Sequence, residues 1–361
     1  MIRLDTVAIS LLTAGVVLTG TIGHSPAFAE DLTVVSWGGS YTDSQKKAFF
    51  EPYEKESGKT LAIEDYSGGL AEVRAQVETG AIQWDVVDVE LQDAVRGCEE
   101  GLFETLESDF LPDGNDGSKA VDDFLPGTLH DCGIGNIVWS NIVAYDINAF
   151  SGEKPKTIAD FFDTKQFPGK RGMSKKPQVN LEWALIADGV PADQVYKVLG
   201  TKEGADRAFA KLSTLKDHTV FWEAGAQPPQ LLADGEVTMS SAYNGRIYTA
   251  VVDEKQPFAT IWDHQIWNLD LWVVLKGSTN LAQAKEFIAS ASRSDRMADQ
   301  TNYISYGPAR ASAAKLIKAE LQPHMPTAAA NFTNALAFDF EFWADHNDEM
   351  NERFASWLAS N

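Results

Sequence analysis

The sequence predicts an α/β protein of two lobes. Short runs of β-branched and apolar residues alternate with amphipathic segments after residue 30, which is typical of a sheet covered by helices. Without residues 1–29, which have the pattern of a cleaved export signal, the chain has 332 residues. This length is too great for one simple hydrophobic core. Because no flexible Gly/Ser linker interrupts the chain, we expect the lobes to be joined by strands that cross between them more than once.

The order of the predicted elements follows from this alternation. Ser40 or Thr42 has the side chain needed to cap a helix that runs to Phe50. Residues 136–144 are apolar with little alternation, which indicates a strand buried on both faces. The predicted strands are 34–37, 60–66, 84–89, 136–144, 219–222, 237–243 and 269–275. The other predicted helices are 70–79, 157–162, 181–188, 192–200, 205–213, 229–235, 282–291 and 338–359.

Residues 1–29 have the three parts of an export signal. Arg3 lies in a short n-region, residues 7–22 are apolar, and Ala27-Phe28-Ala29 fits the small-residue cleavage rule. We predict cleavage after Ala29. No Cys follows the cleavage site as a lipid anchor, and no later apolar run is long enough to span a bilayer. We therefore expect a soluble protein in a Gram-negative periplasm.

Composition excludes several classes of partner. The net charge of −22 opposes binding to nucleic acid or to an anionic membrane surface. It favours cationic or zwitterionic ligands, although an acidic surface that serves solubility is the alternative. With 44% hydrophobic residues, the chain is folded and not intrinsically disordered.

The two cysteines, Cys98 and Cys132, are expected to form a disulfide, because an isolated pair in an oxidising compartment usually does. Neither has a second Cys or His at ligand spacing, apart from His130 beside Cys132, so we predict no metal site. No sequence motif indicates a cofactor.

Motifs of catalysis are missing. The sequence has no H-E-x-x-H, G-x-S-x-G, Walker or G-x-G-x-x-G motif, and its histidines are scattered. We therefore predict a binding protein and not an enzyme. Because carboxylates are abundant, an exported hydrolase of a small polar substrate, with paired acids, remains the alternative of another class.

Aromatic residues recur at the predicted strand-to-loop junctions. These are Trp37, Trp222, Tyr243, Trp267 and Tyr306. Ligands of open α/β sheets bind at the carboxyl ends of strands, and aromatic faces there cover alkyl chains and attract ammonium groups. Ordinary core packing is the alternative for each residue alone, but the set of five predicts an aromatic ligand site.

Two neighbouring segments extend this candidate site. Trp37 is followed at once by Gly38-Gly39-Ser40, which leaves room for a ligand beside the strand end. Gln227 lies at the start of a predicted helix, where backbone N–H groups are suited to an anionic ligand end. An ordinary helix cap is the alternative at Gln227.

Five short motifs occur in a characteristic order: Val34-Val35-Ser36-Trp37, Trp84-Asp85-Val86-Val87, Tyr243-Asn244-Gly245-Arg246, Leu269-Asp270 and Tyr306-Gly307-Pro308. The ordered set resembles the periplasmic spermidine/putrescine-binding proteins of ABC transporters, a family of bacterial solute-binding proteins. The resemblance implies a type II-like, two-lobed periplasmic binding protein fold with the ligand in the interlobe cleft. It also implies hinge closure and delivery to an ABC permease at the inner membrane.

From the resemblance we expect lobe one to comprise residues 31–141 plus 271–305, and lobe two residues 142–270 plus 306–361. We expect a monomer that binds a small amine or amino acid and no nucleic acid. Docking of the closed form on a chemoreceptor is an alternative that the sequence does not separate from transport.

Within the resemblance, Asp270 matches the main amine-binding aspartate of the family, and Trp37, Tyr243 and Tyr306 match its aromatic walls. Glu90 is an acid gained in place of a serine.

The departures from the family pattern concern charge. Gly39 stands where a spermidine-type site has a glutamate, and Lys176 and Val179 stand where it has two more acids. Ala344 replaces a glutamine, and Arg246 stands where the putrescine-type site has an aspartate.

The change at Arg246 selects a class of ligand. A buried guanidinium facing an ammonium costs several kcal/mol, whereas one facing a carboxylate forms a charge-assisted, bidentate pair. A site with Asp270, Glu90 and Arg246 therefore suits γ-aminobutyrate (GABA) or a related ω-amino acid, and the chain also resembles the GABA-binding branch of the family.

The alternative is that Arg246 pairs with Glu223, Glu90 or another acid and that the ligand is a polyamine such as putrescine or spermidine. The predicted ligand-binding residues are Trp37, Gly39, Ser40, Glu90, Trp222, Gln227, Tyr243, Arg246, Trp267, Asp270 and Tyr306.

Overall fold

Two long antiparallel strands form the centre of the sheet in this computed structural model, which describes residues 32–360. The predicted export signal lies outside the described residues. The strands are β1 (Leu32–Ser36), β2 (Leu61–Asp65), β3 (Val86–Glu90), β4 (Leu129–His130), β5 (Gly133–Asp146), β6 (Arg171–Ser174), β7 (Thr219–Trp222), β8 (Met239–Tyr243), β9 (Phe258–Val274), β10 (Gly307–Pro308) and β11 (Leu336–Ala337).

Helices flank this sheet along the chain. They are α1 (Gly39–Gln45), α2 (Glu51–Ser57), α3 (Ala71–Thr79), α4 (Leu91–Glu99), α5 (Ala120–Asp123), α6 (Ile158–Phe162), α7 (Asn180–Ala187), α8 (Val195–Leu199), α9 (Lys202–Ser213), α10 (Gln227–Ala233), α11 (Asn244–Val252), α12 (Leu281–Ala291), α13 (Ser294–Gln300), α14 (Ala311–Ala314) and α15 (Phe340–Ala359). A π-helical turn, Lys46–Phe50, joins α1 to α2. No described helix has both the length and the apolar character that crossing a bilayer requires.

The strand order β2-β1-β3-β9-β5-β8-β6-β7 divides the sheet into two halves. In the first, β1 runs parallel to β2 and β3, and β3 pairs with the C-terminal part of β9. In the second, β6 runs parallel to β7 and β8, and β8 pairs with the C-terminal part of β5. Because β5 and β9 pair with each other along most of their lengths, both strands pass from one half to the other, as predicted.

Each half has a core on both faces of its sheet, and these halves are the two lobes. In β9, Leu271 and Val273 pack on one face of the first lobe, while Trp272 and Val274 pack on the other. In β5, the side chains of the second lobe divide in the same way. Burial on both faces explains why these segments are apolar without alternation.

The lobe boundaries expected from the resemblance stay a proposal. Ala309 and Ala313, which that division assigns to lobe two, pack with Ile134 and Trp272 in a core cluster of the first lobe. Cys98, near the end of α4, is joined to Cys132 by a disulfide with a Cα–Cα distance of 5.7 Å, which confirms the predicted pairing.

Two local predictions were wrong in detail. α1 begins at Gly39 with Gly38 as its N-cap, so Ser40 and Thr42 lie inside the helix and do not cap it. The reason is that Gly38 and Gly39 adopt positive φ angles of 72° and 58°, and the Thr42 hydroxyl accepts a hydrogen bond from the Gly38 N–H. β9 begins at Phe258 and not at 269. The prediction started too late because the first half of β9 contains polar residues, although this half pairs with β5 across a bulge.

The sequence predicts no helix at α4 or α11. Both follow directly on strands, and neither N-cap residue, Glu90 or Tyr243, makes a side-chain capping hydrogen bond. Without a capping side chain the start of each helix carries no local signal in the sequence.

Candidate functional site

The carboxyl ends of strands from both lobes surround one cavity. β1 leads into Trp37, β2 into Tyr66, and β3 ends at Glu90, all in the first lobe. β8 of the second lobe ends at Tyr243, and Asp270 lies on the crossing strand β9. This is the edge at which α/β sheets bind ligands.

We call this cavity, of about 70 Å³, the first compartment. Because one water-sized group needs about 10–15 Å³ on the same measure, it accommodates a ligand of only a few heavy atoms. Its lining residues are Trp37, Tyr41, Tyr66, Ser67, Glu90, Ile137, Trp139, Lys176, Glu223, Ala224, Gly225, Tyr243, Arg246, Asp270 and Tyr306.

Carboxyl groups form one wall of the first compartment. Asp270 is buried, and its Oδ1 accepts a hydrogen bond of 2.5 Å from Trp139 Nε1. Asp88 lies within hydrogen-bonding reach of Asp270, and Glu90 is the register partner of Asp270 on β3. We call Asp88, Glu90 and Asp270 the acidic cluster; Glu90 and Asp270 line the first compartment, and Asp88, which does not line it, contacts Asp270.

Asp88 is held by donors from several elements. Tyr41 donates to its carboxyl at 2.7 Å, Gln45 at 2.6 Å and Asn136 at 2.9 Å, while Trp37 Nε1 lies at 3.4 Å. Burial nevertheless raises the pKa of Asp88 to about 6.

The pKa of Asp270 is also raised well above its usual value, by burial first and then by the charges of Asp88 and Glu90. Burial raises the pKa of Glu90 as well. An ammonium group in contact with the acidic cluster would relieve both the burial penalty and the mutual repulsion.

Arg246 supplies positive charge to the same cavity from the start of α11. Its Nη1 donates to the carbonyl of Gly38 at 2.7 Å and its Nη2 to that of Trp37 at 3.2 Å. Its Nε is buried without a hydrogen-bond partner in the part of the chain that the structure describes. The guanidinium also lies beside the Tyr306 hydroxyl.

The expected alternative, in which Arg246 pairs with an acid, is not found among residues 32–360. Glu223 forms an ion pair with Lys175 at 2.7 Å, and Glu90 accepts a hydrogen bond from Gln92. Arg246 is instead held by backbone carbonyls, which leave its charge available to an anionic ligand group.

Aromatic rings form the remaining walls. Trp139 and Tyr243 meet edge to face with centroids 5.1 Å apart. Tyr306 meets Tyr41 at 5.3 Å, and Trp37 meets Tyr66 at 4.8 Å. These rings give apolar surface, suited to a short alkyl chain, between the charged groups.

The structure brings six of the predicted site residues together around the first compartment: Trp37, Glu90, Tyr243, Arg246, Asp270 and Tyr306. Trp222 instead lines a neighbouring cavity, where its Nε1 donates to Ser241 Oγ at 3.2 Å.

The other predicted residues lie outside the lining. Trp267 packs on Phe332, because side chains alternate along β9 and residue 267 faces away from the side on which Asp270 lies. The Oε1 of Gln227 accepts hydrogen bonds from the backbone N–H groups of Glu223 and Ala224, so it positions the loop that lines the cavity. Gly39 and Ser40 lie shortly after Trp37 in the chain but do not line the first compartment.

Several lining residues were not among those predicted from the sequence. Tyr66 follows directly on β2, so the strand-end rule that found Trp37 would also have found it. Ile137 and Trp139 lie inside the long apolar strand β5, where no local pattern distinguishes them from core residues. Among residues 32–360, no group of three or more His, Cys, Asp or Glu side chains is arranged to hold a metal ion.

A cleft between two α/β lobes, with a cation and carboxylates facing one small aromatic cavity, defines a protein that captures a small charged solute. The chain belongs to the bacterial extracellular solute-binding protein family, whose family model matches residues 48–327. This confirms the predicted family and fold class, and the family is one of binding proteins and not of enzymes.

Three known proteins are similar to this chain over nearly their whole length. A gamma-aminobutyric acid-binding protein of Pseudomonas aeruginosa is 44% identical over 333 residues, which are 92% of each chain. The crystal structure of the periplasmic binding protein MotA from A. tumefaciens B6 in complex with glucopine has a TM-score of 0.83, 31% identity and coverage of 91% of this chain and 99% of that one. The structure of a GABA receptor has a TM-score of 0.79, 33% identity and coverage of 92% and 98%.

Proposed function

We propose that this protein captures GABA or a closely related ω-amino acid in the first compartment. The observation that carries the proposal is that Arg246 and Asp270 line the same cavity without pairing with each other. A ligand with a carboxylate and an ammonium group separated by a short chain satisfies both.

Each end of such a ligand has a matched partner. The carboxylate pairs with the guanidinium of Arg246, whose planar donors favour two parallel hydrogen bonds. The ammonium group lies against Asp270, with Asp88 and Glu90 close by. Tyr243 and Tyr306 cover the methylene groups between the two ends.

The comparisons support this ligand class. The relative from Pseudomonas aeruginosa at 44% identity is a gamma-aminobutyric acid-binding protein, and a GABA receptor is among the similar structures. A polyamine is the second candidate, favoured by the carboxyls of Glu90 and Asp270, but it would bring an ammonium group against Arg246.

We further propose that the protein works in the periplasm after cleavage behind Ala29 and delivers its ligand to an ABC permease in the inner membrane. The export pattern of residues 1–29 and the extracellular character of the family support this location. The hydrogen bonds from Arg246 in the second lobe to Trp37 and Gly38 in the first join the lobes across the cleft, as hinge closure on a ligand requires.

Isothermal titration calorimetry on ligand-stripped protein tests the proposal with three ligands that share a four-carbon chain. GABA has both charged ends, putrescine replaces the carboxylate by an ammonium group, and butyrate lacks the ammonium group. We expect GABA to bind at least about 100-fold more tightly than either, since each loses one charge-assisted contact.

Two results of this titration would contradict the proposal. If putrescine binds more tightly than GABA, the protein is a polyamine binder and Arg246 does not receive a ligand carboxylate. If butyrate matches GABA, the acidic cluster does not contact the ligand.

A further inference from the structure

A larger cavity adjoins the first compartment. We call this cavity, of about 250 Å³, the second compartment. Its lining residues are Gly69, Glu90, Gln92, Asp93, Arg96, Trp139, Asn141, Ser174, Lys176, Gln178, Val179, Trp222, Ser241, Tyr243, Asn268, Phe338, Trp343, Ala344, Asn347 and Asn351.

The two compartments meet on the side of the acidic cluster. Both are lined by Glu90, Trp139, Lys176 and Tyr243, and Trp139 is the residue that donates to Asp270. Arg246 and Asp270 line only the first compartment, whereas Glu90 of the acidic cluster lines both. A group that extends from the ligand into the second compartment therefore leaves from its nitrogen and not from its carboxylate.

Amide side chains from both lobes make up half of the polar and charged side chains in the lining. They are Gln92, Asn141, Gln178, Asn268, Asn347 and Asn351. Each amide both donates and accepts hydrogen bonds, which is also what a hydroxyl group does. A surface of this kind suits a substituent with several hydroxyl groups.

Gln178 has a polar atom that this substituent would satisfy. Its Nε2 donates to Asn347 Oδ1 at 2.8 Å, but its Oε1 is buried without a partner among the described residues. A buried acceptor left without a hydrogen bond loses the hydrogen bonds it makes with water in the unfolded chain, which is unfavourable. A ligand hydroxyl that donates to Gln178 Oε1 removes that cost.

The charges of the second compartment balance. Glu90 and Asp93 contribute two acids, and Lys176 and Arg96 contribute two bases. Trp139, Trp222 and Trp343 add aromatic surface of the kind that covers the C–H faces of a polyol chain. This combination favours an uncharged, hydroxylated group over a carboxylate or a second ammonium group.

We propose that the second compartment binds an uncharged, polyhydroxylated substituent on the ligand nitrogen, so that the protein takes N-polyhydroxyalkyl conjugates of ω-amino acids as well as the free amino acid. The placement of the nitrogen rests on the proposed function. The secondary amine of such a conjugate remains protonated at neutral pH, so its contact with the acidic cluster is kept.

Calorimetry with three ligands tests this proposal: GABA, the N-glucityl conjugate made from GABA and glucose by reductive amination, and N-propyl-GABA. We expect the glucityl conjugate to bind within about tenfold of GABA, a difference of 1.4 kcal/mol or less. We expect N-propyl-GABA to bind at least tenfold more weakly than the glucityl conjugate, since its chain leaves the amide groups unpaired.

Ala344→Phe tests the location. Ala344 lies on α15 and lines only the second compartment, so a larger side chain there blocks the glucityl group. The variant should weaken binding of the glucityl conjugate at least tenfold and leave GABA affinity unchanged. Ala355→Phe, at an exposed alanine of the same helix outside both compartments, is the matched control and should change neither affinity.

The outcomes separate the two proposals. If GABA binds tightly and the glucityl conjugate binds more than 100-fold more weakly, the second compartment does not bind a ligand substituent, and the proposed function stands. An equal loss of affinity for both ligands in Ala344→Phe also contradicts binding of the glucityl group in the second compartment. If the glucityl conjugate binds while GABA does not, the second compartment is supported and the proposed function fails. If neither binds, both fail.

Discussion

A Cβ atom placed on Gly39 would lie 2.6 Å from Nη1 of Arg246. The two residues are in different lobes, and the missing side chain at Gly39 is what allows the guanidinium to reach the carbonyl of Gly38 at 2.7 Å. A spermidine-type site has a glutamate at this position, which here would collide with Arg246 or neutralise it. The glycine and the arginine therefore form a matched pair.

Replacing Gly39 by alanine should weaken binding of GABA about tenfold, which is 1.4 kcal/mol, because Arg246 is displaced. The φ of 58° adds a cost of about 1 kcal/mol in stability. Gly58→Ala is the matched control, since Gly58 has a φ of 70° but none of the described residues would lie within 4 Å of a Cβ there. Both variants should be less stable in urea, and only Gly39→Ala should show reduced affinity. Equal affinities would show that Gly39 does not position Arg246.

Arg246→Lys keeps the positive charge but loses the planar donors. We expect the affinity for GABA to fall by about 1.5–3 kcal/mol, the contribution of one charge-assisted hydrogen bond that lysine cannot make. Titration calorimetry measures it directly. Arg74→Lys, at a surface ion pair of 2.6 Å with Glu100, is the control and should bind normally. Unchanged affinity in Arg246→Lys would mean that the ligand carboxylate lies elsewhere.

Affinity for GABA should rise between pH 5 and pH 7. Burial raises the pKa of Asp88 to about 6, and contact between a ligand ammonium group and the acidic cluster favours the ionised carboxyls. The complex therefore holds fewer protons than the free protein, and affinity falls as pH drops below 6, by up to about tenfold per pH unit for each proton displaced.

Calorimetry in two buffers of different ionisation enthalpy counts the protons released. Asp88→Asn should flatten the pH dependence, whereas His218→Gln, at an exposed histidine outside both compartments, should leave it intact. A wild-type affinity that does not change between pH 5 and pH 7 contradicts proton release on binding.

Stability should show a separate pH dependence that arises at Glu182. Burial raises the pKa of Glu182 to about 7, although Trp343 Nε1 donates to its Oε1 at 2.8 Å, and its Oε2 has no partner among residues 32–360. The folded protein therefore holds a proton that the unfolded chain releases near pH 4.5. The free energy of unfolding falls as pH rises through this window, by roughly 3 kcal/mol once pH exceeds 7.

Urea unfolding at pH 5 and pH 8 checks this expectation. In Glu182→Gln the loss of stability between the two pH values should be smaller than in the wild type by roughly 3 kcal/mol. Glu341→Gln, at an exposed glutamate on α15, should behave as the wild type does. If Glu182→Gln shows the full wild-type loss, the proton is held elsewhere.

Residues that follow a strict local rule were found from the sequence. Trp37 and Tyr243 were predicted from strand-to-loop junctions, and each lies at or just after a strand end that faces the cavity. Glu90, at the end of β3, was predicted from the family resemblance. Trp267 was also predicted, but its side chain lies on the face of β9 opposite to Asp270 and packs against a core cluster. The sequence places Trp267 just before the predicted strand 269–275, but the true strand starts at Phe258, so Trp267 lies inside it. The alternation of side chains along the strand then decides which face Trp267 takes.

Asp88 shows the opposite case. It lies in the middle of β3 among valines, where nothing in the sequence separates it from a buried structural polar residue. Its importance follows from Asp270, 182 positions away, and from three donors on other elements.

The resemblance to a known family, and not a local pattern, placed Arg246 and Asp270 in the candidate site. The sequence by itself determined the alternation of strands and helices, the two lobes with crossing strands and the pairing of Cys98 with Cys132. Local periodicity and composition carry that information, because they reflect which faces are buried. Only the tertiary structure decided that Arg246 is held by the carbonyls of Trp37 and Gly38 and that Asp88 lies against Asp270. These contacts join residues far apart in the chain, and their geometry depends on how the lobes pack and not on any local pattern.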